Sequence, residues 1–144
     1  MKLAESVDIE ASASTVWGVI TDLASYGEWN PFVVAATSSL KPGEAIQMRV
    51  KLFASFAQPQ TETILEHETG RRLCYGLSRT VAGALQSHRC HSLEVLGDER
   101  CRYSSSFELS GWLAPVVERL LGRRLASGFA GNTAGLKARA ESFS

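Results

Sequence analysis

The sequence predicts an α+β fold, a curved seven-stranded antiparallel sheet wrapped around one long C-terminal helix, with two short helices between strands one and two. Three observations predict it. Residues 32–109 read as a succession of strand-like segments joined by the separators KPGE, QPQ, TGRR, VAG and GDE, and short connections between successive strands make an antiparallel meander. Residues 111–144 then switch from period two to a helical period. Ahead of the meander stand one alternating segment and one helical segment, which places the helices on one side of the sheet.

Leu3 to Glu10 alternates, with Leu3, Val7 and Ile9 against Glu5 and Asp8, as a half-buried strand does. In the following ASAST, Ser12 is the natural N-cap of a helix from Ala13 to Thr21, and Val16, Trp17, Ile20 and Leu23 recur at helical spacing. Asp22 is placed to cap a second short turn through Tyr26. Pro31 excludes Asn30 from the helical region, so YGEWNPF, Tyr26 to Phe32, is a helix-to-strand junction. Turns normally collect small polar residues. Three large aromatics here are therefore expected to form an inner wall and its rim, with Trp29 anchoring the junction and Phe32 flanking the interior.

Six further strands are expected: Phe32 to Leu40, Ala45 to Phe53, Thr61 to Glu68, Leu73 to Arg79, Leu85 to Leu96 and Arg100 to Leu109. The uncharged FASFAQP between the third and fourth strands, with Phe53, Phe56 and Pro59, reads as a loop folding over the mouth of a pocket. In the final segment Pro115 suits a first helical turn. Leu121, Leu125, Phe129, Asn132 and Leu136 form one stripe of a helix of about 25–30 residues, roughly 40 Å long. Gly122, Gly128, Gly131 and Gly135 each cost about 1 kcal/mol relative to Ala in a helix interior. The last three, spaced by three and four, make a smooth groove whose favoured reading is close backbone packing.

At 144 residues the chain is expected to be one domain, residues 1–144. Lys plus Arg and Asp plus Glu are both 15, so the basic stripe that phosphate neutralisation requires is missing and nucleic acid is discounted as a partner. Arg119, Arg123 and Arg124 sit beside Glu118 and read as a solvated helix face. The sequence contains no stretch of about 18 apolar residues, so no integral membrane segment is expected, and MKLAESVDIE lacks a signal-peptide pattern; the expected location is the cytoplasm. Three cysteines without a C-x-x-C pair suit reduced thiols. In HRCH, alternation sends His88 and Cys90 to one face and His91 to the other. Only Cys74 can join the first two, a three-ligand set at most, and no structural metal is expected.

Alternation also assigns an inner wall. With the GDE connection centred near Asp98, His91 falls opposite Ser105, Leu93 opposite Tyr103 and Arg89 opposite Phe107. Leu93, Val95, Phe107 and Leu109 make that face inward. Centring the preceding connection near Ala82 sets Tyr75 opposite Arg89, Leu73 opposite His91, and Cys74 beside Cys90 on the outer face. The candidate ligand-binding wall is then Tyr75, Arg89, His91, Tyr103, Ser105 and Phe107, flanked by Trp29 and Phe32 and closed by Phe129 and Asn132 on the helix stripe. A buried guanidinium must meet a carboxylate, water or a ligand's anionic or carbonyl group. Either Arg89 meets a ligand, or it reaches solvent or pairs with Glu66 near the open end. His91 reads as a hydrogen-bonded core histidine or a ligand contact.

The stretches STVWGVITDLASYGEWNPF, HSLEVLGDERCRYSSSFELSGWLAPVV and GFAGNTAGLKARAE resemble the polyketide cyclase/dehydrase branch of the START-related helix-grip superfamily, the SRPBCC type, over essentially the whole chain. The matching positions are Trp17, Asp22, Trp29-Asn30-Pro31, His91, Gly111, Asn132 and Leu136-Lys137. His67 departs from the pattern, standing where an apolar residue belongs. The resemblance implies a deep apolar cavity between sheet and C-terminal helix; its members include lipid carriers, hormone receptors, aromatase and cyclase subunits and co-chaperones. No cofactor is expected. Fold alone licenses no reaction.

Three functions follow as expectations. The first is a container for a small hydrophobic molecule, such as a lipid, an aromatic polyketide or a sterol-like compound. The second is a cyclase or dehydratase in which His91 moves the proton while Arg89 or a tyrosine stabilises an enolate, making His91 and Arg89 the catalytic candidates. No nucleophile triad, paired carboxylates or glycine-rich phosphate loop strengthens it. The third is a co-chaperone-like interaction domain using the outer face, where Glu94, Arg102, Ser104, Ser106 and Glu108 look merely solvated. Self-association through the sheet edges or the helix stays open.

Overall fold

The structure is a computed structural model that describes residues 1–78 and 81–143. Its strands are β1 (Lys2–Ile9), β2 (Val33–Ser38), β3 (Ala45–Phe53), β4 (Phe56–Glu68), β5 (Arg72–Gly76), β6 (Gln86–Gly97) and β7 (Arg100–Ser110). They form one antiparallel sheet in the order β1-β7-β6-β5-β4-β3-β2. Between β1 and β2 lie α1 (Ala13–Thr21) and a 3-10 helix (Leu23–Glu28), and the chain ends in α2 (Ala114–Glu141). This is the helix-grip arrangement.

Local chemistry fixes these bounds. Ser12 Oγ accepts from the Thr15 amide and caps α1. Asp22, expected to cap the next turn, makes no such side-chain bond; its backbone carbonyl accepts from the Ser25 amide instead. Pro115 occupies the first turn of α2, where the missing N–H costs nothing. Gly111, just before α2, has φ +109°, and a Cβ there would lie 2.3 Å from the Ala84 carbonyl oxygen. Val16, Trp17, Val19 and Ile20 bury the inner face of α1.

Three differences from the sequence reading bear on the site. β4 begins at Phe56, because β3 and β4 turn tightly between Phe53 and Phe56. FASFAQP is therefore a hairpin tip with its rings stacked 5.3 Å apart, and Ala57 to Gln60 are strand. A bulge between Ile64 and Glu66 shifts the phase of β4, turning Glu66 to the outer face, where it pairs with Arg72 at 3.0 Å and cannot meet Arg89. Arg79, the expected end of the fifth strand, lies outside the described residues. β5 ends at Gly76, where a Cβ would meet the Ser87 carbonyl oxygen.

The cysteine reading is also corrected. Cys74 and Cys90 are directly paired across β5 and β6, with Cα atoms 4.2 Å apart, and form a disulfide; Cys101 alone is free, and buried. Sequence spacing favoured thiols, but proximity in the folded sheet decides pairing.

The glycine groove of α2 is a close contact. A Cβ on Gly128 would lie 2.3 Å from the Phe32 ring, on Gly131 3.1 Å from Pro31, and on Gly135 2.4 Å from the Trp29 carbonyl oxygen. Only glycine lets the junction lie against the helix. YGEWNPF is thus mainly a plug: Tyr26 is buried and stacked edge-on against Trp29, and the Tyr26 hydroxyl donates to the Ile20 carbonyl. Phe32 alone of the three aromatics reaches the cavity wall.

Candidate functional site

The inner face of the sheet carries the register read from the turns. Tyr75 lies opposite Arg89, Leu73 opposite His91, Arg89 opposite Phe107, His91 opposite Ser105 and Leu93 opposite Tyr103. Between this face and the first half of α2 lies a cavity of about 230 Å³. Its walls are mostly apolar, with Met48, Val50 and Leu52 from β3 and Val117, Leu121 and Leu125 from α2. Phe32, Tyr75, Arg89, Phe107 and Phe129 of the candidate residues line it. An open groove of about 510 Å³ adjoins it through the shared residues Phe32 and Leu52, and also carries Phe53, Lys51, Arg123 and Arg124. Two of the arginines read as a solvated face therefore border the groove.

Arg89 is only 4% exposed. Its Nη1 donates to Ser105 Oγ, and the guanidinium carbon stands 4.4 Å from the centroid of Phe129, a cation–π contact. Glu62, half-buried on the same cavity wall, is held above the usual carboxylate range by burial, opposed by the hydrogen bond from Gln60 Nε2 and by the charge of Arg89.

Behind the wall runs a buried polar chain. Tyr75 OH is 3.2 Å from His91 Nε2, and His91 Nδ1 is 2.6 Å from Tyr103 OH. Burial, with the charge of Arg89 as second cause, holds the His91 ring well below the ordinary histidine range, so it is neutral. A neutral imidazole donates through one nitrogen and accepts through the other, so one tyrosine donates a hydrogen bond to the ring and the other accepts one from it. Burial pushes Tyr75 up to about 12 and raises Tyr103. The Asn30 side chain orders the next link. Its Oδ1 accepts from the amides of Phe32 and Val33, and its Nδ2 donates to Asn132 Oδ1 at 2.6 Å. The Asn132 amide neighbours the Tyr103 hydroxyl, but its Nδ2 makes no well-formed hydrogen bond.

The candidates thus divide by depth. His91, Tyr103 and Asn132 are buried in this chain rather than at the cavity surface, and Ser105 borders a small cleft beside Leu3 and Ala126. Trp29 lies on the other side of the junction, beside Thr15 and Arg139. Gln58, Gln60 and Glu62 line the cavity and were missed; the alternation Gln58-Gln60-Glu62-Ile64 was the available signal. His67 is accounted for by structure: its Nδ1 lies 2.8 Å from the Leu40 carbonyl oxygen, and its ring packs against Trp17.

The family model described as polyketide cyclase / dehydrase and lipid transport matches residues 1–141. The chain belongs to this family. No curated protein matches the sequence. Among solved structures, a START superfamily protein from Mycobacterium smegmatis is 16% identical with a TM-score of 0.74, and the match covers 99% of each chain. The Zhui aromatase/cyclase from Streptomyces sp. R1128 is 15% identical with a TM-score of 0.79, covering 98% of this chain and 93% of its own. The di-domain aromatase/cyclase BexL from the BE-7585A biosynthetic pathway is 12% identical with a TM-score of 0.76, covering 98% of this chain and 46% of its own. At such identities these likenesses show the fold. Within the polyketide cyclase/dehydrase family the described helices include none long and apolar enough to cross a membrane in this member.

Proposed function

We propose that residues 1–144 act as one binding unit, a container for a small, largely hydrophobic molecule that carries a carbonyl or anionic group. The observation that carries this reading is Arg89: a guanidinium 4% exposed on the wall of an apolar cavity, and in no ion pair among the described residues. Desolvating such a charge costs several kcal/mol, which Ser105, the Tyr75 and Tyr103 hydroxyls and the face of Phe129 offset without supplying a counter-charge. A ligand oxygen facing Arg89 completes the set, while apolar burial at roughly 25 cal/mol per Å² supplies the affinity. The family description favours a lipid or a polyketide, and a sterol-like compound has the same chemistry.

Native mass spectrometry of the protein purified from its own host should show a co-purified apolar molecule. Arg89→Met should lose the oxygen-bearing ligand while keeping the fold, and Leu121→Trp, which fills the cavity, should abolish binding. A protein that emerges empty and takes up no fatty acid or aromatic ketone would overturn the reading.

A second reading, a cyclase or dehydratase, is favoured by one feature: Tyr75 lines the cavity while its hydroxyl lies 3.2 Å from His91 Nε2 behind the wall. His91 then acts through Tyr75. If His91→Ala and Arg89→Ala keep ligand affinity yet abolish turnover of an aromatic poly-carbonyl precursor, catalysis replaces the container.

A further inference from the structure

On the outer face of the sheet, opposite the cavity, four side chains with donor atoms converge. Cys74 and Cys90 are joined across β5 and β6. His88, two residues before Cys90 on the same face and exposed, brings Nε2 to 3.7 Å from Cys90 Sγ. The sulfur atoms and this nitrogen all lie within 4.8 Å of one another. Glu66 is cross-strand from Cys74, and its Oε2 is 3.5 Å from Cys74 Sγ.

These spacings have a definite meaning. Four ligands held tetrahedrally at zinc distances of ~2.0–2.3 Å stand about 3.3–3.8 Å from one another. The His88–Cys90 and Glu66–Cys74 separations already fall in that range. The two sulfurs do not, because they are bonded. The disulfide form also leaves an unmatched contact: Cys74 Sγ has no proton to offer the Glu66 carboxylate beside it. A thiol in that position, or a metal ion bound by both groups, removes the mismatch.

We propose that, when the disulfide is reduced, Cys74, Cys90 and His88 bind one zinc ion, with the Glu66 carboxylate as fourth ligand. The balance is simple. A dithiol reductant gives two electrons and two protons to the Cys74–Cys90 bond and leaves as its own disulfide; zinc then displaces the two thiol protons and binds both thiolates. Two sulfurs and an imidazole select zinc-class ions over magnesium or calcium, which take oxygen ligands. Arg72 is the built-in neighbour. Its Nη2 lies 3.3 Å from Cys90 Sγ, its Nε 3.0 Å from Glu66 Oε2 and its Nη1 3.1 Å from Ser92 Oγ, so one cation favours the thiolate and positions the carboxylate. The bulge before Glu66 is what brings that carboxylate to this face.

The test uses the full chain, reduced with a dithiol, freed of reductant by anaerobic desalting and titrated with Co²⁺ as a visible stand-in for zinc. One equivalent should produce the thiolate charge-transfer and tetrahedral ligand-field bands, and one equivalent of Zn²⁺ should bleach them. The oxidised protein should give neither. Outer partners of a metal site are worth about 10–100-fold in affinity, so His88→Ala, an exposed position whose loss leaves the fold intact, should cost at least roughly 100-fold. Reduced protein that stays colourless, or His88→Ala that binds as tightly as the parent, would overturn the proposal.

Discussion

The two halves of α2 treat the sheet in opposite ways. Residues 128–141 press against the Trp29-Pro31-Phe32 junction through Gly128, Gly131 and Gly135, with no room for a methyl group at the first and last. They are tied down further by Thr133 to the Glu5 carboxylate and by Lys137 Nζ to the Asp8 carbonyl at 2.7 Å. Residues 114–127 stand off. Val117, Leu121 and Leu125 face the cavity while Val116 and Leu120 remain 50% and 71% exposed. One helix is therefore clamped at one end and propped open at the other. The cavity is the gap that results, so hollowness here is made by where the small residues are placed.

That contrast can be broken first at the clamp. Gly135→Val puts a branched side chain 2.4 Å from a backbone oxygen that cannot step aside, and overpacking of this kind costs about 3 kcal/mol, outweighing any gain in helix propensity; denaturant midpoints should show it. The open half answers with the opposite sign. A Cβ at Gly122 meets nothing nearer than Glu118 Cγ at 3.7 Å, so Gly122→Ala should gain about 1 kcal/mol. Loss of stability there would mean the first half is as tightly held as the second.

The smallest effect concerns Glu62 beneath the open half. Its carboxyl pKa is raised by burial above the reference 4.5. Below that value folded and unfolded chains both hold the proton, so stability from the neutral carboxyl is fully present; it is lost as pH rises through the folded pKa. Glu62→Gln should therefore match the parent protein at about pH 4 and become the more stable of the two toward pH 7. Because the side chain is half-exposed, solvent screening keeps the difference small. An unchanging gap across that range in thermal melts would show the cavity mouth to be fully wet.

Much of this was legible before the structure. The register of β5, β6 and β7 follows from two turn centres and period two, which is why Tyr75, Arg89 and His91 fall inward together. The three-and-four spacing of glycines gave the clamp. Depth was not legible: alternation says which face a side chain leaves from, while sheet curvature decides whether it reaches the cavity, as Arg89 does, or stops beneath it, as His91 and Tyr103 do. Gln58, Gln60 and Glu62 were missed because the Phe53–Phe56 turn carries neither Gly nor Pro to mark it. The Ile64–Glu66 bulge misplaced Glu66 for the same reason, since an extra residue leaves no compositional trace. The Cys74–Cys90 disulfide has no signature along the chain, since an odd cysteine count without a C-x-x-C pair suits thiols; only the register across the sheet sets the two sulfurs together.

The pairing of the first strand with the last sets a timetable for synthesis. About 90 residues separate Ile9, the end of β1, from Arg100, the start of β7, and ribosomes add roughly 5–20 residues per second. For about 5 to 18 seconds, then, β1 waits without the neighbour it will hydrogen-bond to. Its alternate residues Lys2, Ser6 and Asp8 keep one side of that waiting ribbon polar, which is how an orphaned edge avoids pairing with the wrong chain.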